Sequence, residues 1–415
     1  MSNAAHLVIV VTARPSYARL RTLIQALETD CRVTVLVAGS ALLERYGAVV
    51  DLIRQDCREV VLTYSVLEGE TLETTARSTA LLMLDLAGKL RELAPDAVIV
   101  HADRHEVLGA AMAARYLELP LIHLQGGEQT GSIDDRVRDG ITQLADCHLV
   151  STPAAQARVK AMRGHEAIVT GCPSIDVAAQ AQTAPAVTLD ELGGDGDALD
   201  LSQPFLVVLQ HPVSTSADDA FHEMGATLLA CEAVGLPVIV FWPGNEAGAN
   251  ASSKAIRMSR GRVPMRTVRN LPPERFLRLL CQASCLVGNS SVGIRECAYL
   301  GVPVVNIGDR QVHRERAANV QDVDLFIPAI TQAIQAQVAH GRYPSSDLYG
   351  DGQGGARMAD AVRAFVRGKR DTDCRVGDES WRVSGPRQKA DRLRGGRGRG
   401  SGEDAGVFAR VRQPG

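Results

Sequence analysis

The chain has no apolar run approaching the ~18 residues of a membrane span. Its N-terminus lacks a basic stretch, and the apolar run Leu7 to Val11 is too short for a secretion signal, so a cytoplasmic location away from membranes is expected. Nine cysteines are scattered without a CxxC pair, which reads as reduced, mostly buried thiols. Cys281 and Cys285 are spaced as one helical turn; a lone pair makes no metal site, and core packing is the expectation. The loop after the first strand has no GxGxxG dinucleotide fingerprint, and the Gly/Ser turn at Gly288 lacks the lysine of a P-loop. Strong charge is missing too. A net of -3 over 415 residues, with 45% hydrophobic and 22% charged, excludes collagen-like, mainly disordered and coiled-coil chains.

The weak net charge averages two unlike parts. From Gly368 to Gly415 there are 12 Lys/Arg and 7 Asp/Glu, a net of +5, so the rest nets -8. An acidic body argues against a nucleic-acid partner. Any anion must then be held by local Arg, His and helix N-termini. The tail contains RGGRGRG, has no hydrophobic period, and is expected to be disordered.

What is present is alternation. Strand-like runs at His6 to Thr12, Arg32 to Ala38, Ala97 to His101, Pro120 to Leu124 and Cys147 to Ser151 alternate with helical patterns. The helices are expected at Tyr17 to Leu27, Thr71 to Leu93, Glu106 to Tyr116 and Asp135 to Ala145. This pattern predicts an α/β fold, a parallel sheet covered by helices on both faces. It breaks in a Gly- and Asp-rich stretch and resumes at Phe205. The expected organisation is an N-terminal Rossmann-like domain at 1–177, a linker at 178–204, a second at 205–367, and the basic tail at 368–415. Two such domains enclose a cleft, and ligands bind beyond the carboxyl ends of their strands.

The strand-end loops hold the polar residues. Arg14 follows the first strand at a helix start, where it reads equally as a phosphate ligand or a surface charge. His101-Ala102-Asp103-Arg104-His105-Glu106 is dense in ionisable groups. Next comes Gln125-Gly126-Gly127-Glu128, whose glycines would let backbone approach a ligand, and then Asp134-Asp135, which suit either proton transfer or helix capping. In the second half, His211, Asn245, and Arg310 sit at strand ends. Gly288-Asn289-Ser290-Ser291 opens a helix that carries Glu296; free N–H groups and two hydroxyls there suit a diphosphate, and Glu296 suits ribose hydroxyls.

The ordered set HADRHE, GGEQTGSIDD, GCPSID, LQHPVST, GNSSVGIRE, NIGDRQ and YPSSDLYGDG resembles the hydrolysing UDP-N-acetylglucosamine 2-epimerases, including the epimerase half of the bifunctional enzyme that begins sialic acid synthesis. The likeness runs from about Val11 to Arg363. It implies a GT-B fold, two Rossmann-like domains with an inter-domain active site. It implies elimination of UDP to a 2-acetamidoglucal and hydration to N-acetylmannosamine, with no metal or redox cofactor and a homo-oligomeric state, dimer or tetramer. The family's phosphate-binding groups match Arg14, His211, Ser290 and Ser291, its ribose-binding Glu matches Glu296, and Arg104 and Arg310 match substrate-site arginines. Two of its acid/base carboxylates match Asp103 and Asp134.

The chain departs from the pattern in four places. The glutamate expected at the third position of HxEGGE is Gln125, which keeps the shape but carries no titratable proton. The first loop has Thr12 for Gly, Arg138-Asp139 stands for Arg-His, and Asn245 is displaced by one. Gln125 is therefore expected to bind substrate, with Asp103, Glu128 and Asp134 sharing the proton work. The alternatives are an enzyme on a related UDP-(di)acetamido sugar, one that eliminates or epimerises without hydrolysis, a glycosyltransferase, and a non-catalytic nucleotide-sugar binder. Arg257 and Arg260, near a family feedback site, read as a solvated helix face.

Overall fold

A computed structural model describes residues 4–43, 49–65, 71–131, 133–213, 219–244 and 248–376. Asn245 and residues 377–415 lie outside these. The first sheet is formed by β1 (His6–Val11), β2 (Arg32–Val37), β3 (Glu59–Leu62), β4 (Ala97–His101), β5 (Leu121–Leu124), β6 (Cys147–Val150) and β7 (Ile168–Val169). All are parallel, in the order β3-β2-β1-β4-β5-β6-β7. The second holds β8 (Asp195–Gly196), β9 (Leu206–Leu209), β10 (Val238–Phe241), β11 (Met265–Val268), β12 (Cys285–Gly288), β13 (Val304–Ile307) and β14 (Val320–Val323). Its order is β14-β13-β12-β9-β10-β11-β8, parallel except for β8, which runs antiparallel to β11. This is the expected α/β class.

The central strands form because they are apolar on both faces. β1 is buried along its whole length, and so are β4, β5 and β6. Leu7, Ile9 and Val11 face one helical layer, and Val8 and Val10 face the other. Strands β3, β7, β8 and β14 are partly or fully exposed and carry no such run, so periodicity does not announce them.

Three readings change on the structure. The stretch expected as a linker contributes the helix Leu189–Leu192 and edge strand β8; both are too short to show a period. Cys281 ends near the close of the helix Pro273–Gln282 while Cys285 opens β12, so their spacing is not a helical turn. Cys31, Cys57, Cys147, Cys172, Cys231, Cys281, Cys285 and Cys297 are free thiols. The last helix, Gly354–Val376, runs past Arg367 into the basic tail. Residues 369–375 contain neither Pro nor Gly, and a helix end needs no apolar period.

That last helix belongs by packing to the first sheet. Met358, Ala359, Val362 and Val366 join the core of Leu7, Ile9 and Leu20. Its start is held by Asp176, whose two carboxylate oxygens accept from the backbone N–H of Gly354 (2.8 Å) and Gly355 (2.7 Å) and from the Thr22 hydroxyl. An anion at a helix N-terminus satisfies donors that have no intrahelical partner. This gives the aspartate of GCPSID a structural task. No helix among the described residues is long and apolar enough to cross a membrane.

Two buried histidines tie stability to pH. His123 and His148 face one another across β5 and β6. His123 bonds Thr142 and the Ala102 carbonyl. Both ring nitrogens of His148 are buried without a partner, and its ring stacks on His165. Burial pushes His123 down to about 4. Burial, helped by His123, His165 and Arg163, pushes His148 down to about 3. A lowered folded-state value means the unfolded chain takes the proton first. The associated stability is complete above the ordinary histidine value of 6.5 and is lost as pH falls from there towards about 4 for His123 and about 3 for His148. A His148→Leu variant should lose less stability than the wild type over that window, by up to about 1.4 kcal/mol per pH unit. Melts across the pH series check this; parallel curves for the two proteins would contradict it.

Candidate active site

The strand ends of the first sheet bring together HADRHE and the Gln125–Asp135 region. Asp103 follows β4, and Arg104 leads into the helix His105–Tyr116. Arg104 donates twice to Glu106 (both 3.1 Å), which is almost fully buried. Burial would raise the Glu106 carboxyl, but Arg104 and His105 outweigh it and hold it below its usual value. Asp134 lies exposed on the first turn of the helix Ile133–Leu144. The neighbouring Asp135 accepts from the backbone N–H groups of Thr130 and Gly131 (both 2.8 Å). Asp135 is thus the residue that closes the loop onto the helix.

Arg138 organises this half of the site. It is 1% exposed and donates to Asp103, to the Glu128 carbonyl (2.6 Å) and to Asp135 (2.6 Å). One guanidinium therefore fixes the loops after β4 and β5 and the start of the following helix. The sequence marks Arg138 only as part of a changed pattern. Its long-range partners have no sequence signal.

Packing requires the glycine pair. Gly127 has φ +77°, and a Cβ there would strike the Ala155 carbonyl. At Gly126 a Cβ would lie 2.9 Å from both His123 Nδ1 and Thr142 Oγ1. Gln125 also adopts φ +60°, a backbone conformation that side chains rarely take. It is held there from three sides. Its Oε1 accepts from His101 (2.9 Å) and from Arg295 (3.1 Å), and its amide nitrogen donates to Cys172 (2.7 Å). Burial, reinforced by Arg19 and Arg295, keeps His101 well below its usual value and so neutral.

The second sheet supplies the opposing wall. Ser290 caps the short helix Ser291–Ile294, and its hydroxyl accepts from the Val292 N–H. Asn289 pins the His211 backbone with two hydrogen bonds, 2.7 and 2.8 Å. Arg310 and Gln311 both donate to the Asn289 carbonyl (3.1 Å each). Glu296 is 5% exposed, and its Oε2 is buried without a hydrogen-bond partner. Such an atom costs ~1–3 kcal/mol until a donor meets it.

Several side chains cross between the two walls. Arg14, at the start of the helix Arg14–Leu27, donates to the Leu271 carbonyl. Arg19, on the same helix, donates to the Ser291 hydroxyl (3.2 Å). Thr152 donates to Glu315 (2.6 Å). Glu128 meets both Arg295 and Arg314. Burial lowers the guanidiniums of Arg14 and Arg19, and Arg295 lowers Arg19 further. Arg19, Arg295 and Arg314 thus face Glu128 and Glu296, and cationic charge is in excess. Arg19, Arg295 and Arg314 were not singled out from sequence, because nothing local distinguishes them from surface arginines. A cavity of about 80 Å3 remains beside Glu128, Arg314 and Tyr349.

This architecture agrees with known proteins. Residues 25–363 match the family model described as UDP-N-acetylglucosamine 2-epimerase. The UDP-N,N'-diacetylbacillosamine 2-epimerase (hydrolyzing) of Legionella pneumophila is 28% identical, over 86% of this chain and 96% of that protein. The UDP-N-acetylglucosamine 2-epimerase of Neisseria meningitidis serogroup B is 28% identical, over 83% of this chain and 90% of that one. In fold, the chain resembles the Methanocaldococcus jannaschii UDP-GlcNAc 2-epimerase solved with UDP-GlcNAc and UDP, with a TM-score of 0.72 at 15% identity, covering 87% of this chain and 100% of that chain. The fold is thus the GT-B type, with two Rossmann-like halves. With matching elements, motifs and family model in agreement, the chain belongs to the UDP-N-acetylglucosamine 2-epimerase family.

Proposed function

We propose that the protein is a hydrolysing 2-epimerase that converts UDP-N-acetylglucosamine, or a UDP-diacetamido sugar of the kind named for the Legionella relative, into UDP and the free 2-epimeric sugar. The observation that carries this reading is the convergence of Arg19 on Ser291 beside the buried, unpartnered Oε2 of Glu296. A UDP group supplies what those atoms lack. Its diphosphate answers the excess of guanidinium, and a ribose hydroxyl donates to Glu296. Arg14, His211, Ser290, Ser291 and Arg310 are assigned to the same UDP group, and Gln125 to the sugar side.

The reaction follows from the two walls. Asp103, held in place by Arg138, takes the C2 proton of the sugar. The C1–O bond breaks, and UDP leaves with the electron pair while arginines and helix N–H groups stabilise its charge. Water then adds at C1 of the 2-acetamidoglucal, and C2 regains a proton on the opposite face. Asp134, exposed on the first turn of the helix Ile133–Leu144, is the second carboxylate assigned to these proton transfers.

Incubation with UDP-N-acetylglucosamine and with UDP-diacetamido sugars tests the reading through UDP release. Steady release from at least one, with free sugar inverted at C2, is expected; UDP binding without turnover would leave a binder. Replacing Asp103 by Asn should lower kcat by ~100-fold or more, while UDP affinity stays near the wild-type value. Wild-type turnover in that variant would remove Asp103 from the mechanism.

A further inference from the structure

Glu128 stands in the middle of the cleft with both carboxylate oxygens occupied. Oε1 accepts from Ser151 (3.1 Å); Oε2 accepts from Arg295 and from Arg314 (2.9 Å). The three charged side chains are 6, 2 and 7% exposed, for Glu128, Arg295 and Arg314 respectively. Burial alone would raise the Glu128 carboxyl, but the two guanidiniums outweigh it and hold it below its usual value. The arginines respond unequally. Burial would lower Arg295, yet Glu128 more than offsets this, while burial and Arg295 push Arg314 down to about 10.

A carboxylate in this position has no proton to give at neutral pH. If it took one, two buried guanidiniums would lose their partner together. The expectation that Glu128 shares the proton work therefore meets a geometry unsuited to it. What Glu128 does hold is more telling. Arg295 is the residue between the helices Ser291–Ile294 and Glu296–Leu300, so it shares a turn with Ser290, Ser291 and Glu296. Arg314 lies in the loop after β13 that also carries Arg310. These are the two second-sheet segments assigned above to UDP.

We propose that Glu128 is a positioning residue that transfers no proton: through Arg295 and Arg314 it locks the two UDP-holding segments of the second sheet against the strand ends of the first. This rests on the UDP reading above. UDP binding and sugar turnover are thereby separated within one loop. Glu128 sets how firmly the nucleotide is gripped, and Asp103 and Asp134 move protons.

The test uses the full chain, with UDP itself as the probe in calorimetry and the pH profile of kcat/KM for UDP release as the second readout. Glu128→Gln and Arg314→Gln should each raise the Kd for UDP by ~10-fold or more, the range of a lost charge pair at an interface. The double variant should bind UDP no more weakly than the poorer single one, because both changes cut the same link. Both limbs of the pH profile should stay where they are. A Glu128→Gln protein with wild-type UDP affinity, a collapsed kcat and a missing limb would overturn the proposal and restore Glu128 as a proton carrier. If Glu128→Gln fails to fold, Arg314→Gln decides alone, and a wild-type Kd there overturns the proposal. A wild-type protein that binds no UDP would instead overturn the reading on which this one rests, and the proposal with it.

Discussion

The ion pairs from Glu128 to Arg295 and Arg314 join the strand ends of the first sheet to the loops of the second. Charges buried this deeply are held only with their partners, and removal of one typically costs ~3–5 kcal/mol. Arg14 to Leu271, Arg19 to Ser291 and Thr152 to Glu315 cross the same gap. Each bridge begins at a strand end or in the first two turns of a helix of one half and ends on a loop or helix start of the other. The parallel sheets therefore do more than scaffold the loops. They aim two sets of polar residues at one another, and the buried charges set the register between them.

That arrangement gives the acidic body a local cationic site. The body nets -8, yet Arg19, Arg295 and Arg314 meet where two carboxylates, Glu128 and Glu296, face them. A site with surplus guanidinium and a carboxylate oxygen lacking a donor is complementary to a ligand that is anionic at one end and hydroxylated at the other. The first-sheet wall has the opposite character. There Asp103 and Asp135 are held by Arg138, and Asp135 also by the backbone of the loop before it.

Much of this was readable in the sequence where a local rule governs. The buried strands β1, β4, β5 and β6 announce themselves because both faces are apolar. The ordered motifs identify the family because they lie at strand ends in a fixed succession. Residues whose role depends on a distant partner were not readable. Arg138, Arg19, Arg295 and Arg314 look like any surface arginine until folding places a carboxylate or hydroxyl beside them. Gln125 shows the reverse. Its loss of a titratable group is plain from sequence, but its anchorage by His101, Arg295 and Cys172 is a product of the fold. The Gly126-Gly127 pair is visible in the sequence, but its packing against Ala155, His123 and Thr142 is a product of the fold.

The central claim is that proton abstraction at C2 accompanies loss of UDP. NMR of the sugar released in D2O examines it most directly. Elimination and hydration place deuterium at C2 of the inverted product in every turnover. Released sugar that keeps its original hydrogen at C2 would contradict the account, whatever the rate of UDP release.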